Sequence, residues 1–144
     1  MNATLEALVD DIDESYPLAE NYERFANYFL SCLTLIRDQI PRSVEDCFGI
    51  ANEFWQGRSS DDELRKALIR CWAYADEENR QGHGSDKSYL AVRALIFTLS
   101  PKASSDDAHE LLHWFLEIVE RVADVEDELV AITKSYFPGL SSDE

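Results

Sequence analysis

The chain has 144 residues, of which 45% are hydrophobic and 11% aromatic, and its formal net charge at pH 7 is −16. This hydrophobic content excludes a disordered chain, and the length suits one domain with a sizeable core. The negative charge disfavours nucleic acid and anionic membrane surfaces as partners and favours basic ones. The sequence has no signal-peptide pattern and no run of about 18 apolar residues, so we expect a cytoplasmic protein that does not cross a membrane.

Apolar residues recur at helical spacing along almost the whole chain, and no segment shows the alternation that is typical of a strand. Asn2 is placed to cap a first helix, and Pro17 ends it because the residue before a proline avoids helical angles. Pro41 and Gly57 end later helices, and Ser60 begins a capping box. The first five predicted helices cover about 3–14, 18–39, 44–56, 61–80 and 86–99.

The fifth helix is apolar on more than one side, so it is predicted to be the central helix of a bundle. After it, the segment 103–137 contains no Gly or Pro, and its apolar residues alternate in spacing between three and four positions. This heptad pattern predicts one helix of about 32 residues, or two helices with a kink near Ala123 and Asp124. We therefore predict an all-α single-domain bundle of six to seven helices with a long heptad-patterned C-terminal helix and a loose tail over 138–144.

The heptad positions have two interpretations, a core helix of a left-handed bundle or the seam of a homodimer. The core interpretation needs these residues to be covered within one chain. The seam interpretation needs them to be exposed and to meet a second copy. The positions concerned are Ala108, Leu111, Phe115, Ile118, Val122, Val125, Leu129, Ile132 and Tyr136.

Negative charge is concentrated toward the two ends of the chain. Residues 1–20 contain six acids and no Lys or Arg, and residues 88–144 contain eleven acids and four bases. The middle, 21–87, contains twelve acids and nine bases, so it is nearly balanced. At about 100° per residue, the acids of the first and last helices form stripes away from the apolar faces. Such stripes indicate either a solvated face, as in a salt-adapted protein, or a docking surface for a basic protein. The candidate partner-binding residues are Glu6, Asp10, Asp13, Glu117, Glu120, Asp124, Asp127 and Glu128.

The run from His109 to His113 reads H-E-L-L-H, the pattern in which two histidines bind zinc and the glutamate activates water. The helical pattern places both histidines away from the core, whereas a catalytic zinc needs a walled cleft and a third ligand. Glu126 and Glu128 lie farther along the same helical pattern, so neither can supply that ligand without a break. We expect two solvent-facing histidines, with a weak surface site for Zn²⁺ or Ni²⁺ and a zinc-dependent hydrolase as the alternatives.

The remaining chemical side chains fit structural roles. The three cysteines form no CxxC pair and lie on apolar faces, so we expect buried, reduced thiols: Cys32, Cys47 and Cys71. Trp72 is predicted to anchor the core, Trp114 lies at the core margin as a possible interface anchor, and Arg93 is predicted to pair with an acid at the buried edge. The sequence has no P-loop, no dinucleotide-binding turn and no G-x-S-x-G, so we expect no cofactor and no enzymatic activity.

Four segments carry a resemblance to a known class of protein: Phe54–Arg58, Cys71–Asp76, Ala91–Leu95 and Leu112–Leu116. Together with the Ser60-capped helix, they resemble small all-helical immunity proteins, which are found beside toxins in bacterial competition systems. The resemblance covers most of residues 45–137. It implies a cytoplasmic protein that binds one cognate toxin and occludes its active site, without catalysis of its own. The acidic stripes suit such a partner, because nuclease toxins are commonly basic. The alternative interpretation is a homodimeric helical adaptor or regulator built on the heptad seam.

Overall fold

A computed structural model describes residues 2–100 and 107–139 of the chain. Within these residues it contains seven α-helices and no strand, which confirms the all-α single-domain bundle. The helices are α1 Ala3–Ser15, α2 Leu18–Leu33, α3 Glu45–Trp55, α4 Asp61–Arg80, α5 Lys87–Ile96, α6 Ala108–Val122 and α7 Glu126–Tyr136. Two 3₁₀ segments, Thr34–Gln39 and Arg42–Val44, connect α2 to α3. None of the described helices is long and apolar enough to cross a membrane.

Local signals in the sequence set the starts of α1 and α4. The Asn2 side chain accepts a hydrogen bond from the backbone N–H of Leu5 at 2.8 Å, and the Ser60 hydroxyl accepts one from Glu63 at 3.2 Å. Each cap satisfies a donor that the first turn of a helix leaves without an intrahelical partner. These two helices therefore begin within one residue of the predicted positions.

The second helix is shorter than predicted. It ends at Leu33 rather than near 39, and the chain continues as a 3₁₀ segment in which Ile36 has non-helical angles of φ −122° and ψ 15°. This kink leaves Ile36 fully buried. The burial of one apolar side chain therefore accompanies the loss of regular helix, and the sequence contains no glycine or proline to mark the position.

Two helices, α2 and α5, occupy the centre of the bundle. α5 contacts α2, α4 and α6, as the prediction of a central helix required, and α2 contacts α3, α5, α6 and α7. The contact between α2 and α6 is aromatic: the rings of Phe29 and Phe115 stack with centroids 4.2 Å apart. Phe137 is also buried, edge-on to Phe25 and Tyr28 at 5.3 and 5.2 Å, and it fixes the end of α7 against α2.

The heptad segment forms two helices, so the single long C-terminal helix is wrong and the kinked alternative is confirmed. Ala123 is extended, with φ −152° and ψ 151°, and it separates α6 from α7. The break lets α6 pack on α5 and α1 while α7 packs on α2 and α1. Five heptad positions are buried inside this chain, so the pattern describes an intramolecular core: Ala108, Leu111, Phe115, Val122 and Leu129.

The described part of the predicted tail is attached to the bundle. The Tyr16 hydroxyl donates a hydrogen bond to the carbonyl of Pro138 at 2.9 Å. Residues 140–144 of that predicted tail lie outside the described residues. The three cysteines are buried, as expected, and burial raises the pKa of the Cys32 thiol to about 12. Cys32 is therefore a poor nucleophile at neutral pH.

Candidate partner-binding surface

The first helix presents acids opposite its buried side. Its core residues Leu5, Leu8, Val9 and Ile12 are essentially inaccessible. Glu6, Asp10 and Asp13 are all exposed. The acids recur with the helical period but out of phase with the apolar residues, so one side of α1 is apolar and the other is acidic. The acidic stripe of α1 is therefore a surface feature of the folded chain.

The two histidines of the HELLH run lie between the α1 stripe and the acids of α6. His109 Nε2 is 3.0 Å from Asp10 Oδ1, and the His109 backbone N–H donates to Asp13 at 3.1 Å. His113 Nε2 is 3.5 Å from Glu117 Oε1, and the two imidazole rings are nearly parallel with centroids 6.0 Å apart. The stripes of α1 and α6, which the sequence presents as two separate candidates, are therefore neighbours on one surface.

A concavity of about 390 Å³ continues this surface at the corner between α6 and α7. Three predicted residues, Glu117, Glu120 and Asp124, line it together with Glu126, which is not among the predicted partner-binding residues. Arg121 also lines it. Partial burial, and next the nearby Glu126 carboxyl, raise the pKa of Glu120 above its ordinary value. The concavity is therefore a place where added positive charge would be favourable.

We call the surface formed by these parts the acidic face, and define it by Glu6, Asp10, Asp13, His109, His113, Glu117, Glu120, Asp124 and Glu126. Two predicted residues, Asp127 and Glu128, are exposed in the first turn of α7 but do not line the concavity. Acids in a first turn favour the helix through its dipole, and α7 has no side-chain cap. Asp13 has a similar structural contribution, because it accepts a backbone N–H from the first turn of α6.

Counter-charges are distributed unevenly between the acidic face and the rest of the protein. Between two described residues, every ion pair of a Lys or Arg with a carboxylate falls in 46–80: Arg65–Asp62, Lys66–Asp62, Arg70–Asp46 and Arg80–Glu77. On the acidic face the corresponding partners of Asp10 and Glu117 are imidazoles, which carry positive charge only when protonated. The acidic face therefore keeps its negative charge when its histidines are neutral.

The geometry of the HELLH run does not gather metal ligands. The Nε2 atoms of His109 and His113 are directed toward carboxylates on different helices, Asp10 of α1 and Glu117 of α6. Across residues 2–100 and 107–139, no group of three or more His, Cys, Asp or Glu side chains is arranged to hold a metal ion. The two histidines instead connect the two acidic stripes.

Two sequence predictions about aromatic and basic residues are wrong. Trp72 is 39% exposed rather than a core anchor, because the residues of α4 that pack inward are the smaller Ala67, Cys71 and Ala75. Arg93 lies over the rings of Trp72 and Tyr89 and donates to the Tyr89 hydroxyl at 3.0 Å. Among the described residues it has no ion pair with an acid.

Trp114, which the sequence places at the margin of the core, is 49% exposed. Together with Trp72 and Arg93 it lines a groove between α4, α5 and α6. Its exposure agrees with the predicted marginal position.

Comparison with known proteins adds no assignment: no family model, no curated protein and no solved structure matches this chain. The charge distribution and the geometry of the surface itself therefore carry the information on function. Fold alone would carry little weight, because helical bundles support many unrelated functions.

Proposed function

We propose that this protein is a non-enzymatic, cytoplasmic immunity protein that binds a basic toxin through the acidic face. The observation that supports the proposal is the separation of counter-charges. Three acids in 46–80, Asp46, Asp62 and Glu77, have Lys or Arg partners. On the acidic face, Asp10 and Glu117 have imidazole partners instead. Carboxylates that lack strong intramolecular partners are available to the cations of another protein.

The physical mechanism is occlusion by charge complementarity. Carboxylates on a rigid helical surface can occupy the positions that phosphates would take in the cleft of a basic nuclease. Complementary charge also accelerates encounter, up to about 10⁸ M⁻¹s⁻¹ or more at low salt. A guanidinium of the partner, placed in the concavity between α6 and α7, would neutralise the repulsion between Glu120 and Glu126.

This mechanism makes binding depend on pH in a defined direction. Before a partner binds, the pKa of Glu120 is already raised, so this carboxyl takes up a proton at a higher pH than an ordinary glutamate does. A bound cation favours its ionised form, so binding releases protons. We therefore expect affinity to fall as pH is lowered through the pKa of Glu120 in the free protein, and to recover as pH is raised.

Neutralisation of a toxin is supported by the sequence resemblance described above. The homodimeric alternative has lost its main argument, because most heptad positions are buried inside one chain. The fit of the acidic face to a basic partner does not depend on what that partner does. Binding and neutralisation are therefore tested separately.

The binding test compares two triple variants with the same change in net charge. The first, Glu6→Lys/Glu117→Lys/Asp124→Lys, reverses charges on the acidic face. The matched control, Glu23→Lys/Glu53→Lys/Asp76→Lys, reverses exposed acids on α2, α3 and α4. Wild type and both variants are tagged and used to capture proteins from the native cytoplasm at low and high salt, followed by mass spectrometry.

We expect wild type and control to retain one basic protein in stoichiometric amount, and the acidic-face variant to lose about 100-fold or more in affinity for it. High salt should weaken the wild-type complex. Equal retention by both variants would contradict the proposed surface.

The captured protein is then expressed alone and together with this chain. Growth arrest that co-expression relieves supports neutralisation, whereas a harmless partner would overturn the toxin assignment and leave binding intact.

A further inference from the structure

We propose a second docking site on this protein, in the groove between α4, α5 and α6, that binds a partner segment carrying an apolar side chain next to a carboxylate. We call it the tryptophan groove and define it by Trp72, Arg93, Phe97 and Trp114. This site does not require the acidic face to bind anything. Its shape, its exposed apolar side chains and its local charge support it.

The groove is apolar and exposed in a protein whose other large apolar residues are mostly covered. The described residues include three large hydrophobic side chains with high exposure, Ile69, Trp72 and Trp114, and two of them line this groove. The main arm has a volume of about 280 Å³, and a smaller arm of about 160 Å³ adjoins it. The arms share Arg93, Phe97 and Trp114, so they form one continuous depression. Exposed tryptophans beside an arginine are the composition typical of binding hot spots.

The floor of the groove is held in place before any partner arrives. Tyr22 lines the main arm, and its hydroxyl donates to the carbonyl of Ser100 at 3.1 Å. The Tyr22 ring meets Trp55 edge-on at 5.5 Å, and the Trp55 indole N–H donates to the carbonyl of Thr98 at 2.9 Å. A preformed floor lowers the entropy cost of binding.

Charge selects the chemistry of the occupant. The Arg93 guanidinium lies 5.2 Å from the centroid of the Trp72 ring, and Arg121 lines the smaller arm. Within the described part of the chain, neither arginine forms an ion pair with a carboxylate, and Glu117, which also lines the smaller arm, has its contact with His113. Among the described residues, the only charged one that lines the main arm is Arg93, so this arm is locally positive on a protein of net charge −16. Arginine binds carboxylates in a geometry with two parallel hydrogen bonds, so an acidic group is the complementary ligand.

A segment of another protein fits these conditions better than a second copy of this chain. Two copies would bring together two charges of −16, which opposes self-association. A short segment with one aromatic side chain and one carboxylate fills the apolar arm and reaches Arg93. Because this segment carries a carboxylate, it differs from the basic partner expected at the acidic face.

The test uses three peptides that differ at one position: Ac-Phe-Asp-NH₂, Ac-Phe-Asn-NH₂ and Ac-Phe-Lys-NH₂. Each is titrated into the full chain while the indole N–H signals of the three tryptophans are followed by NMR. We expect the Asp peptide to shift the signals of Trp72 and Trp114 and to bind about fivefold more tightly than the Asn peptide. The Trp55 signal should move less than those of Trp72 and Trp114, because Trp55 does not line the groove and its N–H is bonded to Thr98.

Two variants and one control show which residues carry the binding. Arg93→Gln should remove the preference for Asp over Asn, and Trp114→Ala should weaken both peptides. Ile69→Ala removes an exposed apolar side chain of α4 that does not line the groove, so it should leave binding unchanged. The proposal is overturned if no tryptophan signal moves, if the Lys peptide binds as well as the Asp peptide, or if Arg93→Gln keeps the preference. Because no basic protein is present, such a failure would say nothing against the acidic face.

Discussion

The region 46–80, which we call the paired region, and the acidic face both carry exposed carboxylates, but they differ in the positive groups that lie next to them. In the paired region, Arg70 makes two hydrogen bonds to the carboxylate of Asp46 at 2.6 and 2.9 Å, and it also donates to the carbonyl of Ser43 at 2.7 Å. This arrangement ties α4 to the start of α3. On the acidic face, Asp10 and Glu117 have imidazoles as their ion-pair partners, and the charge remains available.

The difference indicates that an ion pair helps to hold helices together in the paired region, whereas buried contacts hold the helices next to the acidic face. α7, which borders the acidic face, is held to α2 by an internal hydrogen bond. The Thr133 hydroxyl donates to the carbonyl of Leu129 at 2.6 Å, so it accepts the hydrogen of the buried Tyr28 hydroxyl at 2.7 Å. A surface whose scaffold is fixed from inside can carry uncompensated charge outside.

The largest expected effect comes from removing that internal contact. Thr133→Val keeps the shape of the side chain but leaves the Tyr28 hydroxyl buried without its oxygen acceptor. We expect a loss of about 2 kcal/mol in the free energy of unfolding, measured by urea denaturation. Thr133→Ser retains the hydroxyl and should lose less. A loss no greater for Val than for Ser would show that the hydrogen bond does not hold α7 in place.

A smaller loss is expected when the best ion pair of the paired region is broken. Arg70→Gln removes the double contact with Asp46, and we expect it to cost about 1 kcal/mol at neutral pH, since the pair is partly exposed. Arg70 holds the pKa of Asp46 below its ordinary value. This contribution is present above the ordinary pKa of 3.8 and is lost as pH falls through the lowered value, so the two proteins should converge in acid.

The matched control for that prediction is Arg65→Gln, which breaks an exposed pair within one helix. It should cost clearly less than Arg70→Gln, because an exposed pair within one helix contributes little. An equal cost for both substitutions would mean that the link between α3 and α4 adds nothing to an ordinary surface pair.

How far the fold could be predicted depends on whether a boundary is set locally. Asn2 and Ser60 cap their helices with their own side chains, so the starts of α1 and α4 can be predicted from the sequence. The break at Ala123 has no glycine or proline and coincides with a change of packing partners from α5 to α2. Because tertiary packing causes this break, the heptad pattern of the sequence continues through it without interruption.

The candidate surface shows the same limit. Helical periodicity was sufficient to place Glu6, Asp10 and Glu117 on exposed faces. Their adjacency depends on the packing of α1 against α6, which no local pattern encodes. Glu126 was missed because a straight helix would carry it away from Glu120, whereas the turn before α7 brings the two carboxyls together. Trp72 was misplaced because α4 buries small residues beside it.

The acidic face should respond to charge reversal in the opposite direction from the paired region. Without a partner, Glu6→Lys/Glu117→Lys/Asp124→Lys relieves repulsion among neighbouring acids. We expect the free protein to gain about 0.5 kcal/mol, measured as a higher thermal midpoint at low salt. The gain should shrink at about 0.5 M NaCl, where repulsion is screened. A destabilised variant would indicate that these acids support the fold rather than remain available for binding.

The smallest effect concerns His83, whose carboxylate partner Glu78 lies in the paired region, and it tests whether an imidazole next to a carboxylate can act as a true counter-charge. His83 Nδ1 is 3.0 Å from Glu78 Oε2, and this contact raises the pKa of His83 and lowers that of Glu78. The contribution of His83 is complete below its ordinary pKa of 6.5 and is lost as pH rises through the raised value. The contribution of Glu78 is present above 4.5 and is lost as pH falls through the lowered value. The pair therefore stabilises most between these two ordinary values.

NMR titration of the His83 ring should give a pKa above 6.5 that Glu78→Gln lowers and the control Glu77→Gln does not. If Glu78→Gln left the His83 titration unchanged, imidazole–carboxylate contacts of this length would not compensate charge in this protein.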